Sequence, residues 1–354
     1  MQARSMKRLE IVLEALALGG LMAMAGCHSD MGVDPQELQR YKVMFARNAT
    51  ALNDPGGLER RICVANGDGS GLQDLSQHPP GGYPGAVRGW DSAPMYSHDG
   101  RMIAFQTNRD GNQDLYVMLA DGSNRVNITR ETELDLEFSW SPDGTRIAFS
   151  RLLQGKYVIH VVGSNGSGMN PITPPSESSR YPAWSPSGSQ IAFSRRDSAS
   201  GRWRVVLANA DGSNVRIISD SAESAVFPQW SKDESRVFYN VIGAGLRVKS
   251  LDGSFSKSLP GFFPRTLSWT PDGRWFVTSD SMSIVMIPAD LSSFSRLGIR
   301  GSEPSVSPDG AWILFLAQDV SSANEVHAAR ADGTDERTVA SSQYGEVYPS
   351  WRPN

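Results

Sequence analysis

Apolar and polar positions alternate along the chain in short runs punctuated by Gly and Pro, and the runs recur. The clearest is Phe138-Ser-Trp-Ser-Pro-Asp-Gly-Thr-Arg-Ile-Ala-Phe-Ser150, which predicts two β-strands, 138–141 and 146–150, around a tight turn. Proline pre-sets φ at the first turn position, Asp143 suits the second, and Gly144 supplies the left-handed residue that closes the hairpin. Copies begin at Pro94, Phe138, Pro182, Pro228, Leu267 and Pro304, and a truncated one at Pro349, with spacings of 44, 44, 46, 39, 37 and 45 residues. That is the period of a four-stranded propeller blade, roughly 40–45 residues.

Each hairpin is followed by a third apolar run, such as Asp114-Leu-Tyr-Val-Met-Leu119 or Tyr157-Val-Ile-His-Val161, then a second turn and a short fourth run. These turns between the third and fourth runs are Asp68-Gly69, Asp121-Gly122, Asn165-Gly166, Asp211-Gly212, Asp252-Gly253 and Asp332-Gly333; only the sixth repeat departs, with Asp290-Leu291. The N-terminal part supplies second, third and fourth strands (42–47, 60–65, 72–75) without a first. The C-terminal part supplies a first strand, 348–352, without the rest. Together they complete one blade and remove the open sheet edge of the ring. The prediction is an all-β, seven-bladed propeller over residues 42–354, with six or eight blades as alternatives.

Composition fits this picture. With 39% hydrophobic and 20% charged residues, 34 Gly and 21 Pro, the chain is a folded protein rich in turns. Its net charge of −4 suggests no basic face, so nucleic acid is not an expected partner. The N-terminus differs from the rest. Arg4, Lys7 and Arg8 precede an apolar run from Ile11 to Met24 and the small residues Ala25 and Gly26, the layout of a secretory signal. Met24-Ala25-Gly26-Cys27 resembles a bacterial lipobox, although Met24 stands where Leu is usual and Glu14 interrupts the apolar run. The resemblance implies cleavage before Cys27, a lipid on its thiol, and a membrane anchor. Residues 1–27 are then the signal peptide and 28–41 a tether. His28 is not the Asp that marks inner-membrane retention, so the outer membrane, facing the periplasm, is the expected location. The second cysteine, Cys63, lies in the apolar run Ile62-Cys63-Val64 and reads as an inert buried thiol.

Gln106-Thr-Asn-Arg-Asp-Gly-Asn-Gln-Asp-Leu-Tyr-Val-Met-Leu-Ala-Asp-Gly-Ser-Asn124, with Ile128-Thr-Arg130 and Phe138-Ser-Trp-Ser-Pro-Asp-Gly144, resembles the TolB-type β-propeller repeat. The resemblance spans residues 42–354 and implies the fold. It implies less about function, because the repeat occurs in the propeller of periplasmic TolB, beside prolyl-oligopeptidase-type hydrolase domains, in polysaccharide lyases and in envelope lipoproteins. TolB itself carries six blades and a separate α/β domain, for which residues 28–41 are too short.

Chemistry is sparse. No Gly-x-Ser-x-Gly elbow is present, and His28, His78, His98, His160 and His327 show no metal-ligand spacing, so no catalytic residue, metal or cofactor is predicted. Trp140, Trp184, Trp230, Trp269 and Trp351 recur at one position of the repeat, which points to packing between blades. Asp91, Asp135 and Glu346 stand three residues before the aligned Pro or Phe, and Arg180 and Arg265 two before it. These positions precede the first strands, at one mouth of the central channel, and are the candidate binding residues. The expected function is that of a monomeric, non-catalytic binding scaffold of the bacterial envelope that engages a protein or envelope component. The alternative is a polysaccharide lyase or hydrolase with a site at the channel mouth.

Overall fold

The computed structural model describes residues 37–51, 54–76, 90–264, 267–280, 283–318, 323–343 and 345–353. They form seven four-stranded antiparallel sheets, the blades of a propeller. Blade 1 is composite: Lys42–Ala51, Asp54–Asn66 and Gln73–Asp74 are joined on the inner side by Glu346–Trp351, with Val43 opposite Trp351 and Arg47 opposite Glu346. Blades 2 to 7 follow in order, opening with Asp91–Tyr96, Leu134–Trp140, Ser179–Trp184, Ala225–Trp230, Ser268–Trp269 and Ser302–Val306. These first strands pack on one another around the ring and therefore line its axis, whereas fourth strands such as Asn170–Pro171 and Arg216–Ile217 are exposed at the periphery.

The repeated turn holds by local hydrogen bonds. Ser141 Oγ accepts from the Arg146 N–H at 2.9 Å and donates to Asp143 Oδ1 at 2.6 Å, and Asp143 accepts from the Thr145 N–H at 3.0 Å. Gly144 takes φ 69°. The departure in blade 6 is one of sequence and not of geometry: Leu291 adopts φ 53° at the place of the turn glycine and is 2% exposed, so its burial offsets a backbone cost of roughly 1–2 kcal/mol.

The core is distributed among the blade interfaces. Each of seven apolar clusters joins two neighbouring blades; Ala104, Leu115 and Val117 of blade 2, for instance, pack on Phe138, Trp140, Ile147 and Phe149 of blade 3. The recurrent tryptophans belong to these interfaces. Trp140 Nε1 donates to Met95 O at 3.1 Å, Trp230 to Ala183 O at 3.0 Å and Trp351 to Ser305 O at 2.8 Å, in each case a carbonyl of the preceding blade. An amphipathic ring with its N–H satisfied inside an apolar layer is a structural staple.

Two expectations change. The first hairpin of blade 1 is longer than predicted, running to Ala51 and from Asp54. The tether also ends earlier, because residues 37–41 are docked. Leu38–Arg40 forms a 3-10 turn, Leu38 is 0% exposed against Trp312 and Trp351, Glu37 pairs with Arg330 at 2.6 Å, and the Tyr41 hydroxyl donates to Asp309.

Candidate binding site at the channel mouth

In an antiparallel meander successive turns alternate between ends. The first and third turns of every blade lie at one end of the ring, here called the turn end. The second turns and the connections between blades lie at the other, the mouth. Inner strands begin at the mouth, where the sequence places its candidate residues.

Asp91, Asp135 and Glu346 are not loop residues: each lies within an inner strand and is 0% exposed. Each carboxylate meets an arginine of the second strand or of the turn that follows it. Arg109 Nη2 reaches both Asp91 oxygens at 2.9 Å, Arg151 grips Asp135 through Nε and Nη2 at 2.8 and 2.9 Å, and Arg47 Nε donates to Glu346 at 2.9 Å. The guanidiniums lie over phenylalanines of the second strands, Phe105, Phe149 and Phe45. Burial raises the affinity of Asp135 and Glu346 for a proton above the ordinary carboxylate value, and the arginines oppose this only in part. These pairs fasten the inner strand to the second, and three blades use them. Arg180 is different. It bonds Glu137 of the preceding blade and lies over the rings of Tyr157 and Tyr181 at 4.3 and 4.8 Å. Arg265 and Cys27 lie outside the described residues.

What the mouth offers to a ligand comes from a feature the sequence reading missed. Among the described residues, in six blades the third residue of the inner strand's repeat unit is a non-glycine residue in the left-handed region: Tyr348, Ala93, Glu137, Tyr181, Phe227 and Glu303, with φ between 36° and 59°. The ladder register shifts at each of these places, a β-bulge. Five of the six precede a proline, and a bulge on an edge strand tolerates a residue without an N–H donor. Around the ring the bulges touch: Tyr181 and Phe227 have ring centroids 4.3 Å apart, Glu137 holds Arg180, and Glu303 accepts the Tyr348 N–H at 3.0 Å. Tyr348 remains 39% exposed, with Arg60 over its ring. The result is a collar of aromatic faces and carboxylates at varying positions on one repeated backbone device. Left-handed non-glycine residues are costly and collect where function needs a fixed side chain. The available signal was positional: the residue before the aligned position changes type among the blades while a proline follows it in five of the six.

Other candidates disperse. His98 lies after an inner strand at the turn end, His160 is buried in blade 3 against Phe149, and His327 bonds Glu325 and Glu336 in blade 7; His28 and His78 lie outside the described residues. Among the described residues no three His, Cys, Asp or Glu side chains are grouped to hold a metal. Cys63 is buried and burial pushes its thiol up to about 12, so it is inert at neutral pH. Two open clefts, of about 910 and 580 Å³, lie at the turn end between blades 3 and 4 and between blades 2 and 3, away from the collar.

Fold and collar together define a seven-bladed propeller with an elaborated mouth. The family model described as the TolB beta propeller domain matches residues 83–260, and the chain belongs to that family. Its fold is similar to TolB from Acinetobacter baumannii (15% identity, TM-score 0.51, covering 88% of this chain and 83% of that one). It is also similar to oligogalacturonate lyase from Vibrio parahaemolyticus (11%, TM-score 0.58, 84% and 85%). A puromycin-hydrolyzing peptidase from Mycobacterium tuberculosis is 13% identical with a TM-score of 0.62, over 90% of this chain but 56% of that one. At these identities the likeness shows the fold alone. No curated protein sequence matches the chain.

Proposed function

We propose that the protein is a binding propeller of the bacterial cell envelope, anchored by lipid at Cys27, that captures a segment of another protein on the mouth collar. The observation that carries this reading is the collar itself. Six strained bulges hold side chains that differ from blade to blade, three of them aromatic, on a ring whose other contacts repeat. Rigid aromatic rings give contact area at low entropic cost, and flanking carboxylates and guanidiniums add register. Affinity with TolB-like propellers agrees with an envelope setting. No helix of the described residues is long and apolar enough to cross a membrane, and the lipid supplies the attachment.

The test is photo-cross-linking in the native envelope from a probe placed beside the collar, followed by mass spectrometry. One protein recovered from wild type and lost from the Tyr181→Ala, Phe227→Ala, Tyr348→Ala triple variant is the expected result. Equal recovery from both, with the variant still folded, overturns the site. Turnover of an envelope polysaccharide by the purified protein, abolished by the same substitutions, would establish the enzymatic alternative instead.

A further inference from the structure

The docked turn at Leu38–Arg40 fixes where the chain leaves the ring, and with it how an anchored ring sits. The second strand of blade 1 starts at Lys42, at the turn end, and every partner of residues 37–41 lies there too. Asp309 belongs to the first turn of blade 7, and Arg330 flanks its third turn. Gly67 opens the third turn of blade 1 and donates its N–H to Tyr41 O at 3.0 Å. A Cβ at Gly67 would stand 2.7 Å from Leu38 O, so glycine is what allows this turn and the N-terminal segment to lie against each other. Leu38, fully buried between blades 7 and 1, makes the junction part of the core.

From these contacts we infer that the turn end faces the membrane and the collar faces away from it. The inference rests on the anchor at Cys27. Glu37 lies ten residue steps from Cys27, with nine residues between them. A chain of that length cannot exceed about 35 Å however it runs. The inner strands, about 20 Å long, set the ring's thickness. To turn the collar toward the bilayer the tether would have to cross the turn end to the rim and then climb the whole thickness, nearly stretched out. With the turn end down the anchor needs no such path. The docked segment thus selects the partner of each surface: the bilayer for the end made of repeated turns, and a protein reaching in from the aqueous side for the collar.

Two exposed serines at opposite ends of blade 4 report on this, Ser187 in the first turn and Ser198 in the second. Because Cys63 is buried, Ser187→Cys and Ser198→Cys each give one reactive thiol on the lipidated protein. Each variant is labelled with a donor dye and reconstituted into vesicles containing an acceptor-headgroup lipid. The expected result is severalfold higher energy transfer from position 187 than from 198. Leu38→Ser, which frees the docked segment and lengthens the leash, should narrow the difference. Equal or reversed transfer in protein shown by mass spectrometry to be lipidated overturns the orientation and leaves the anchor intact. Membrane retention of Cys27→Ala would instead refute the anchor on which the orientation rests.

Discussion

At the turn end of blade 3, Ser141 and Asp143 close the hairpin with the bonds that Ser97 and Asp99 make in blade 2, Ser231 and Asp233 in blade 5, Thr270 and Asp272 in blade 6, and Ser307 and Asp309 in blade 7. At the mouth end of the same inner strands no such uniformity holds. Blades 1, 2 and 3 place Glu346, Asp91 and Asp135 under arginines, while blades 4 and 5 begin with Ser179 and Ala225, and the bulge that follows carries Tyr, Ala, Glu or Phe according to the blade. One end repeats because each blade must solve the same folding problem. The other varies because the backbone problem has already been solved and side chains are free to specialise.

The sharpest way to break this contrast is to remove one partner of a mouth ion pair. Arg151→Ala leaves Asp135 buried without its countercharge and should cost about 3–5 kcal/mol in denaturant unfolding. Asp135→Leu combined with Arg151→Met should recover most of that loss, as expected of a structural pair. Trp351→Ala should cost a similar amount, about 3–5 kcal/mol, because it empties the interface at which the ring closes. A turn-end change is smaller: Asp143→Ala removes hydrogen bonds from Ser141, Thr145 and the Thr145 N–H and should cost about 1–2 kcal/mol by the same measurement.

Acid separates the buried carboxylates of the mouth from the turn carboxylates by sign. Bonds from Ser250 and Ser254 lower Asp252 to about 2, so its contribution is complete above its unfolded value near 3.9 and is lost as the pH falls toward 2. Asp135 and Glu346 are raised by burial, and their protonation relieves a penalty as the pH falls. Thermal unfolding followed between about pH 4 and pH 2 should therefore show a smaller acid-induced loss in Asp252→Asn than in wild type. An unchanged slope would remove the turn carboxylates from the acid response. Smallest in stability should be Tyr181→Ala with Phe227→Ala, where the collar changes and each blade keeps its interface; calorimetry should find a modest shift while cross-linked partner is lost.

The sequence made the ring legible because turn chemistry is local. Ser-Pro-Asp-Gly names its own geometry, the spacing counts the blades, and Pro349-Ser-Trp351 without a following Asp-Gly revealed the composite blade. The mouth was legible only as a position. Asp135 and Arg151 are 16 residues apart and face each other across a hairpin whose register could have been counted, but alignment says nothing of which way a side chain points. The collar was harder still, since Ala, Glu, Tyr and Phe share no propensity for left-handed backbone, and the bulge is a shift in the register between two strands. Leu38 was hidden for a related reason: a single apolar residue in a polar stretch carries no periodicity.

The composite blade also sets a timetable. Val43 meets Trp351 only after some three hundred residues have been laid down between them, a separation that places the last pairing among the slowest events in folding. Six blades can accumulate as an open arc, each stacking on the one before, but the arc has two raw faces until Glu346–Trp351 slots beside Lys42–Ala51. A partially made ring is thus the aggregation-exposed species, and a refolding experiment should resolve a late phase that Trp351 fluorescence reports and that blade-internal probes do not.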